Sequence, residues 1–409
     1  MNVADYIHDM AMKARAAAGE LAKLTTAEKN AALNAIADRL EKDVAAIRQA
    51  NAVDVANAKK AGLKDAMVDR LTLTDARFKS MVDGVRHIVS LPDPVGEEIW
   101  TRERPSGITI RKVRVPFGVV AVVFESRPNV FIDTAALCLK TGNAIILRGG
   151  KEAIESNKAL AKSVASACAS IGSGRETASP LINAIQLVEI LEHEAVSELV
   201  RSVGLIDVAI PRGGERLIRA MCEAALIPVL KHYKGVCHVY VDDEADLAMA
   251  LSILDNAKVQ RPGVCNAAEC LLVHKKLAPM FLPMVEAWAR DKKVTLHENE
   301  AGTEYLSLDI NVAVVDDYRA AIDFINEHSS HHSECIVTNN AERAKEFLRD
   351  VDSACVYHNV STRFTDGGEF GMGAEIGIST DKLHARGPMG LEELTTYKYT
   401  ITGDGVIRK

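Results

Sequence analysis

Hydrophobic residues recur at helical spacing through the first ninety positions. Thr25, with Glu28 three residues later, predicts a capped helix start, because each side chain can accept a hydrogen bond from the other residue's amide. The apolar residues that follow lie three and four positions apart and share one helix face. They are Leu33, Ile36, Ala37, Leu40, Val44 and Ile47. We therefore expect this segment to be helical scaffold.

Continuous apolar runs replace this spacing after Pro116. Residues 119–124 and 144–147 are such runs, and a helical stretch over 132–140 separates them. Uninterrupted apolar residues are typical of parallel strands covered on both faces. The pattern continues with a helix over 153–169 and a strand over 208–210. It predicts an α/β fold whose ligands bind at the carboxyl ends of the strands.

A second α/β segment follows. Its predicted strands are 238–241, 271–273, 312–315 and 336–337. Residues 108–115 alternate between apolar and charged side chains, as expected of a half-exposed strand. The tail over 392–401 is rich in β-forming residues and is separated from the body by a Gly/Pro-rich stretch.

Composition narrows the classes of function. The chain has 409 residues, 48% of them hydrophobic, and 56 acidic against 49 basic residues give a net charge of -7. Without a long Lys/Arg run, a nucleic-acid partner is not expected. The apolar runs are far shorter than the ~20 residues of a membrane span, and the N-terminus lacks a signal-peptide pattern. We expect a cytoplasmic protein, without a membrane partner, that acts on a small molecule.

The eight cysteines include no C-x-x-C pair, which argues against a disulfide framework or a zinc ribbon. Most are expected to be core residues. Cys265 differs because it follows a Pro-Gly turn in a polar stretch, where a thiol can be held as the reactive thiolate. It is the candidate nucleophile, with ordinary burial as the alternative, and Cys270 is assigned to packing.

Two glycine-containing loops follow predicted strands. Arg148, Gly149 and Lys151 come after the strand over 144–147, and Gly213 and Gly214 come after the strand over 208–210. Glycines let the backbone approach a phosphate, and the next helix start supplies amide donors. Both basic residues could meet an adenosine 2'-phosphate. The alternative is two ordinary turns with solvated basic side chains.

Histidines offer weaker signals. His328, His331 and His332 lie in a polar stretch without a Cys or carboxylate at zinc-like spacing, so a solvated or substrate-facing loop is favoured and no metal is expected. His232 precedes a predicted strand and is either an acid/base group or a hydrogen-bonded loop residue.

Five motifs together resemble the gamma-glutamyl phosphate reductase family of the aldehyde dehydrogenase superfamily. They occupy 124–130, 146–153, 261–266, 361–370 and 384–396, and the resemblance covers essentially the whole chain. It implies a Rossmann-type parallel-sheet cofactor domain over 1–100 and 116–236 and an α/β catalytic domain over 237–385. A β-hairpin oligomerisation element over 101–115 and 386–409 and a homo-oligomer are also implied.

The resemblance also implies a reaction. In that family NADPH reduces L-glutamyl 5-phosphate to L-glutamate 5-semialdehyde with phosphate release, which is the second step of proline biosynthesis from glutamate. Cys265 matches the family's nucleophile, which forms a thioester. Glutamate 5-kinase, which makes the unstable substrate, is a further expected partner. The rivals are an NAD-dependent aldehyde dehydrogenase of the same superfamily and an inactive nucleotide-binding relative.

Roles for other residues follow from the same resemblance. Arg127 is the candidate cation for the oxyanion and the departing phosphate. His232 stands where hydrolytic aldehyde dehydrogenases carry a glutamate base, and its presence there favours reduction over hydrolysis. Glu304 matches the glutamate that holds the nicotinamide ribose, and Asn129 and Arg363 are candidates for substrate contacts.

The same resemblance implies a cofactor-binding role for Arg148. It matches the superfamily's lysine at the adenosine ribose. With Lys151 nearby, this position is compatible with NADPH.

Overall fold

The computed structural model describes residues 2–171 and 181–408, so residues 172–180 of the predicted cofactor domain lie outside the described residues. The helices are α1 (Val3–Leu21), α2 (Thr26–Lys42), α3 (Val44–Lys60), α4 (Asp65–Leu71), α5 (Asp75–Ser90), α6 (Pro128–Lys140), α7 (Ile154–Ile171), α8 (Glu194–Arg201), α9 (Glu215–Ala224), α10 (Leu247–Val259), α11 (Ala278–Lys292), α12 (Tyr318–His328) and α13 (Ala341–Asp350).

The strands are β1 (Glu98–Glu103), β2 (Thr109–Pro116), β3 (Val119–Phe124), β4 (Ala144–Gly149), β5 (Ile185–Leu187), β6 (Val208–Arg212), β7 (Cys237–Val241), β8 (Ala268–His274), β9 (Thr295–His297), β10 (Asp309–Val315), β11 (Ser333–Val337), β12 (Cys355–His358), β13 (Gly377–Ser379), β14 (Gly387–Met389) and β15 (Thr395–Thr402). The predicted strands over 119–124, 144–147, 208–210, 238–241, 271–273, 312–315 and 336–337 are all present. The α/β prediction is confirmed at the level of its elements.

Two compact units divide the chain. Unit 1 comprises Met1–Leu230, Met372–Gly377 and Met389–Lys409, and unit 2 comprises Lys231–Gly371 and Ile378–Pro388. The chain thus enters unit 2 after Leu230, slightly before the predicted boundary between 236 and 237. The three predicted domain ranges stay predictions.

Unit 1 is built on a four-stranded parallel sheet with the order β5-β4-β3-β6. Every residue of β3 and β4 is buried, as their unbroken apolar runs predict. The prediction that Arg148 and Gly149 form a loop is wrong. Both belong to β4, because the ladder with β3 continues through them and pairs Val123 with Arg148 and Phe124 with Gly149.

Two helices of unit 1 show how local chemistry deals with the free amides at a helix start. Thr25 and Glu28 form the predicted capping box at the start of α2. Helix α6 begins at Pro128, before the predicted 132, because a proline in the first turn removes an amide that would have had no helical partner.

A three-stranded antiparallel sheet of order β1-β2-β15 completes unit 1. Strands β2 and β15 confirm the strands predicted near 108–115 and in the tail, and their ladder pairs Thr395 with Pro116 and Thr402 with Thr109. Strand β1 was not predicted from the sequence, because most of its residues are exposed and carry no apolar alternation.

Unit 2 contains a six-stranded parallel sheet with the order β12-β11-β7-β8-β10-β9. Its strands β7 and β8 are wholly buried. Helices α10 and α11 pack on one face through Leu254, Phe281 and Val285, and α12 and α13 contribute Ile325 and Phe347 to a second apolar cluster. Among the described helices, none has the length and apolar character needed to cross a membrane.

Candidate active site

The candidate nucleophile lies at the amino-terminal edge of the unit 2 sheet, which we call the amino edge. Because β11, β7, β8 and β10 are parallel neighbours, their first residues meet at one edge. His332 immediately precedes β11, Gly235 precedes β7, Cys265 precedes β8 and Glu304 precedes β10. The α/β pattern predicted ligands at the opposite, carboxyl ends of strands, so that prediction does not describe where Cys265 lies.

Cys265 occupies the turn that joins α10 to β8 and is partly exposed. The next residue, Asn266, is buried, and its Nδ2 donates to the carbonyl of Thr365 at 2.8 Å. Its own carbonyl accepts from Thr362 Oγ1 at 2.7 Å. The turn therefore presents the thiol from a fixed backbone, as the Pro-Gly context suggested.

Gly235 packs directly against this turn. A Cβ at Gly235 would lie 1.9 Å from the Cys265 carbonyl oxygen, so any larger residue would displace the backbone that carries the thiol. Its amide donates to Glu304 Oε1 at 2.7 Å. Glu304 thus holds Gly235, and its expected role at the nicotinamide ribose stays a prediction.

His232, Cys265 and His332 form a cluster. One ligand-capable atom from each, a ring nitrogen or the sulfur, lies within 4.8 Å of the others. His232 Nδ1 is 2.8 Å from the Ile378 carbonyl, to which it must donate, so a neutral His232 carries its lone pair on Nε2. The two imidazoles meet edge to face with centroids 5.5 Å apart.

His332 is completely buried, and the expectation of a solvated or substrate-facing loop is wrong for this residue. It stands at the start of β11, whose residues are all buried. Burial, with the nearby His232 as a second cause, lowers the pKa of His332 to about 3, so the ring is neutral. Its Nδ1 lies 2.9 Å from Ser333 Oγ. The sequence signal was weak, because Ser333 and Glu334 separate His332 from the apolar residues of β11.

The neighbouring thiols differ from Cys265 in burial. Cys237 is buried, its Sγ donates to the Cys265 carbonyl at 3.2 Å, and burial raises the pKa of this thiol well above its usual value. Cys270 is buried in β8, in agreement with its assignment to packing. In this part of unit 2, Cys265 is the thiol with solvent access.

Arg363 supports the same turn from another segment. Its Nε donates to Gln260 Oε1 at 2.8 Å, and its Nη1 bonds Asn266 Oδ1. Burial, with a further contribution from nearby Arg261, lowers the pKa of Arg363. These bonds connect both sides of the turn, and the predicted substrate contact of Arg363 stays a prediction.

The predicted cofactor residues lie at the carboxyl ends of β3, β4 and β6 in unit 1, which we call the carboxyl edge. Arg148 is buried, and its two terminal nitrogens donate to the carbonyls of Gly149 and Leu191 at 3.1 and 3.0 Å. Burial lowers its pKa. Lys151, in contrast, is exposed. Of the two predicted phosphate-binding cations, Lys151 is the one that solvent reaches.

Carboxylates occupy two amides at this edge, and the sequence assigned one of them, that of Gly214, to phosphate. Glu125 Oε2 accepts from the Gly214 amide at 2.9 Å, and Glu152 Oε1 accepts from the Ser126 amide at 2.8 Å. Gly213 lies against the Glu125 carboxylate, where a Cβ would come within 2.6 Å of an oxygen. These amides do attract an anion, and the protein itself supplies one.

Arg127 and Asn129 lie near the start of α6. Arg127 is the N-cap residue and is exposed. Asn129 Nδ2 donates to Asp133 Oδ2 at 2.9 Å. Burial raises the pKa of Asp133 to about 6, although Asn129 and Arg212 oppose the shift. The expected roles of Arg127 as a cation and Asn129 as a substrate contact stay predictions.

The chain is similar in sequence to a known protein family and to a known enzyme. Residues 2–304 match the model of the aldehyde dehydrogenase family. The chain is 50% identical to a gamma-glutamyl phosphate reductase from Moorella thermoacetica, with both chains covered completely.

Solved structures agree with that match. A gamma-glutamyl phosphate reductase from Thermotoga maritima is 42% identical and superposes with a TM-score of 0.94 over 98% of this chain and 100% of that one. The Saccharomyces cerevisiae enzyme of that name is 32% identical, with a TM-score of 0.56 and 98% of each chain covered. The expected fold and resemblance are confirmed.

Proposed function

The chain belongs to the gamma-glutamyl phosphate reductases of the aldehyde dehydrogenase family, and from that premise we propose that it reduces L-glutamyl 5-phosphate to L-glutamate 5-semialdehyde. NADPH is the proposed reductant and phosphate is released, as in the second step of proline biosynthesis from glutamate. The observation that carries the chemistry is the partly exposed Cys265 thiol on an anchored turn beside two imidazoles.

Cys265 acts first in the proposed mechanism. His232 accepts the thiol proton on Nε2, because its Nδ1 is committed to the Ile378 carbonyl. The thiolate attacks the γ-carbonyl carbon, a C–S bond forms, and the C–O bond to phosphate breaks. The product is a thioester on Cys265. The amide groups of the turn and Arg127 are candidates to stabilise the charge that develops.

A nicotinamide nucleotide, when bound, would supply a hydride to the thioester, which would free the Cys265 thiolate. The carboxyl edge suits such an anionic ligand, since it combines helix-start amides with the exposed Lys151. For a phosphate to reach the Gly214 amide, Glu125 has to release it. Lys151 is the proposed origin of a preference for NADPH, because the terminal nitrogens of the buried Arg148 bond the carbonyls of Gly149 and Leu191.

A homo-oligomer is also proposed. The sheet of β1, β2 and β15 exposes Tyr397, Tyr399 and Ile401, each about half accessible to solvent. Apolar and aromatic side chains on an antiparallel sheet suit association with a second copy. Cytoplasmic location and association with glutamate 5-kinase stay expectations.

The decisive experiment runs the reaction in reverse, because the acyl phosphate is short-lived. Purified protein is given glutamate 5-semialdehyde, phosphate and NADP+, and NADPH formation is followed by absorbance. We expect reduction of NADP+ that requires phosphate, and a lower rate with NAD+.

Two outcomes contradict the proposal. Rapid NAD-linked oxidation of simple aliphatic aldehydes without phosphate favours an aldehyde dehydrogenase of another specificity. Nucleotide binding with no turnover, even when glutamate 5-kinase supplies the substrate, indicates an inactive relative.

A further inference from the structure

The cluster of His232, Cys265 and His332 has the donor set of a metal site. The residues are distant in sequence and meet because β7, β8 and β11 are neighbours in the sheet. The two imidazoles and one thiol have donor atoms within 4.8 Å of one another. Nitrogen and sulfur donors together favour a borderline-soft divalent cation such as Zn²⁺ over Mg²⁺ or Ca²⁺.

His332 provides a second observation that points to a ligand. The residue is completely buried, and Nε2 has no hydrogen-bond partner among the residues that the structure describes. Its Nδ1 is used by Ser333. A buried polar nitrogen without a partner is costly and calls for an explanation. A bound cation would use the lone pair on Nε2.

His232 is oriented as a metal ligand usually is. Ligating histidines commonly donate their second ring nitrogen to a backbone carbonyl, which fixes the tautomer and the ring. His232 Nδ1 makes this bond to Ile378. The lone pair on Nε2 is therefore directed away from that carbonyl.

We propose that His232, Cys265 and His332 bind one thiophilic divalent cation, for which Zn²⁺ is the probe, and that the bound ion reversibly blocks the thiol. Tetrahedral coordination places donor atoms about 3.5 Å apart, a separation within the 4.8 Å range over which these donor atoms lie. Three protein ligands leave the fourth tetrahedral position to water. Structural zinc sites use four protein ligands, so a site with three suits an ion that binds reversibly.

A second three-residue cluster does not support the same inference. Asp242, Asp243 and His274 also have donor atoms within 4.8 Å. Arg343 bonds both carboxylates, and Lys276 lies 2.8 Å from Asp243. These cations already neutralise the acids, so that cluster is explained as an ion-pair network.

Metal binding is measured on the full chain by titration calorimetry with Zn²⁺ alone, and with Co²⁺ for its thiolate charge-transfer absorption. We expect one equivalent to bind and EDTA to remove it. Cys265→Ser and His332→Gln should each weaken binding on the order of a hundredfold or more, since even loss of an outer-shell partner costs metal sites roughly 10–100-fold. Mg²⁺ should not compete.

Matched controls use residues outside the cluster. His193 is an exposed histidine and Cys222 a partly exposed cysteine of unit 1, and His193→Gln and Cys222→Ser should bind Zn²⁺ as the parent does. His232→Gln provides a second ligand variant in case His332→Gln misfolds, which circular dichroism detects. Unchanged Zn²⁺ affinity in folded His232→Gln or His332→Gln, or an equal loss in either control, overturns the proposal.

Blockage of the thiol is tested separately, because this part rests on the proposed role of Cys265. Stoichiometric Zn²⁺ should protect Cys265 from iodoacetamide, mapped by mass spectrometry, and should inhibit turnover until EDTA is added. Alkylation at the same rate with bound Zn²⁺ contradicts the blockage. Protection of Cys265 by Zn²⁺ in a protein without reductase activity would support the metal site and contradict the proposed function.

Discussion

The carboxyl edge of unit 1 and the amino edge of unit 2 are both ends of parallel sheets, yet their polar groups are used differently. At the carboxyl edge, charged side chains satisfy backbone groups nearby, as in the bonds from Arg148 to Leu191 and from Gly214 to Glu125. At the amino edge, Cys265 is partly exposed, and the buried His332 has an Nε2 without a hydrogen-bond partner within the described chain.

A sequence motif thus predicts where a residue lies better than it predicts what the side chain binds. Arg148 follows an apolar run as a phosphate-binding residue would, but its guanidinium is buried. Leaving a buried charged donor unpaired is costly, and the two terminal nitrogens of Arg148 bond carbonyls, while its Nε has no hydrogen-bond partner among the described residues. The amino edge keeps groups available for chemistry because its backbone is held by other residues, among them Asn266 and Glu304.

The largest expected effect tests whether the amino edge carries the reaction. Cys265→Ser should lower kcat by on the order of a thousandfold or more, because a serine hydroxyl is a far weaker nucleophile and no thioester can form. Cofactor affinity, measured by fluorescence titration, should be kept. Cys222→Ser, a partly exposed cysteine of unit 1, is the matched control and should keep full activity. Full turnover in Cys265→Ser eliminates the proposed nucleophile.

The next effect tests the positioning of that thiol. Gly235→Ala places a Cβ 1.9 Å from the Cys265 carbonyl oxygen, so the turn must shift. A displacement near 1 Å costs on the order of a hundredfold in rate, and we expect this loss in kcat. Gly263→Ala is the control, because its nearest atom, the Leu306 carbonyl oxygen, would be 3.6 Å away. Equal kinetics for both variants would show that the contact does not position the nucleophile.

The elements of both edges could be predicted because burial on both faces of a parallel sheet leaves unbroken apolar runs. Strand β3 is such a run, and β7 and β8 contain shorter apolar runs interrupted by His238, Glu269 and His274. Strand β1 could not be predicted, since its exposed residues carry no periodic signal. The extension of β4 through Arg148 was missed because a charged residue normally ends a buried run, and here the strand pairing continues.

The candidate site could be predicted in part. Cys265 and His232 were chosen from the sequence because each lies in a polar stretch before an apolar run. His332 is followed by the polar residues Ser333 and Glu334, and its contact with the others depends on strand order, which spacing along the chain does not contain. The Gly235 contact likewise depends on how closely two backbones approach, and a glycine in a polar stretch predicts only a turn.

The next prediction concerns Asp133, near the carboxyl edge, and tests whether its carboxyl group makes the free energy of unfolding depend on pH. Its folded pKa of about 6 lies above the ordinary value of 3.8. Its stabilising contribution is therefore complete below about 3.8 and is lost as pH rises through 6. Between pH 4 and 7 the wild type should lose up to about 3 kcal/mol of unfolding free energy relative to Asp133→Asn.

Urea unfolding followed by circular dichroism at each pH measures this difference. Asp9→Asn is the control, because Asp9 is an exposed residue of α1. The control should follow the wild-type profile throughout. A constant offset between Asp133→Asn and the wild type from pH 4 to 7 would contradict the raised pKa.

The smallest expected effect distinguishes the roles of Lys151 and Arg148 at the carboxyl edge. It therefore tests whether the two edges use their polar groups differently. Lys151→Gln should raise the KM for NADPH roughly tenfold, equivalent to about 1.4 kcal/mol, with little change for NADH and in the melting temperature, because Lys151 is exposed. Arg148→Gln should instead change the melting temperature and not the preference for NADPH. It removes buried bonds to the carbonyls of Gly149 and Leu191, so the melting temperature should fall while the preference for NADPH is kept. If Arg148→Gln instead abolishes that preference at an unchanged melting temperature, the buried arginine serves the cofactor, and the two edges do not differ in the way argued above.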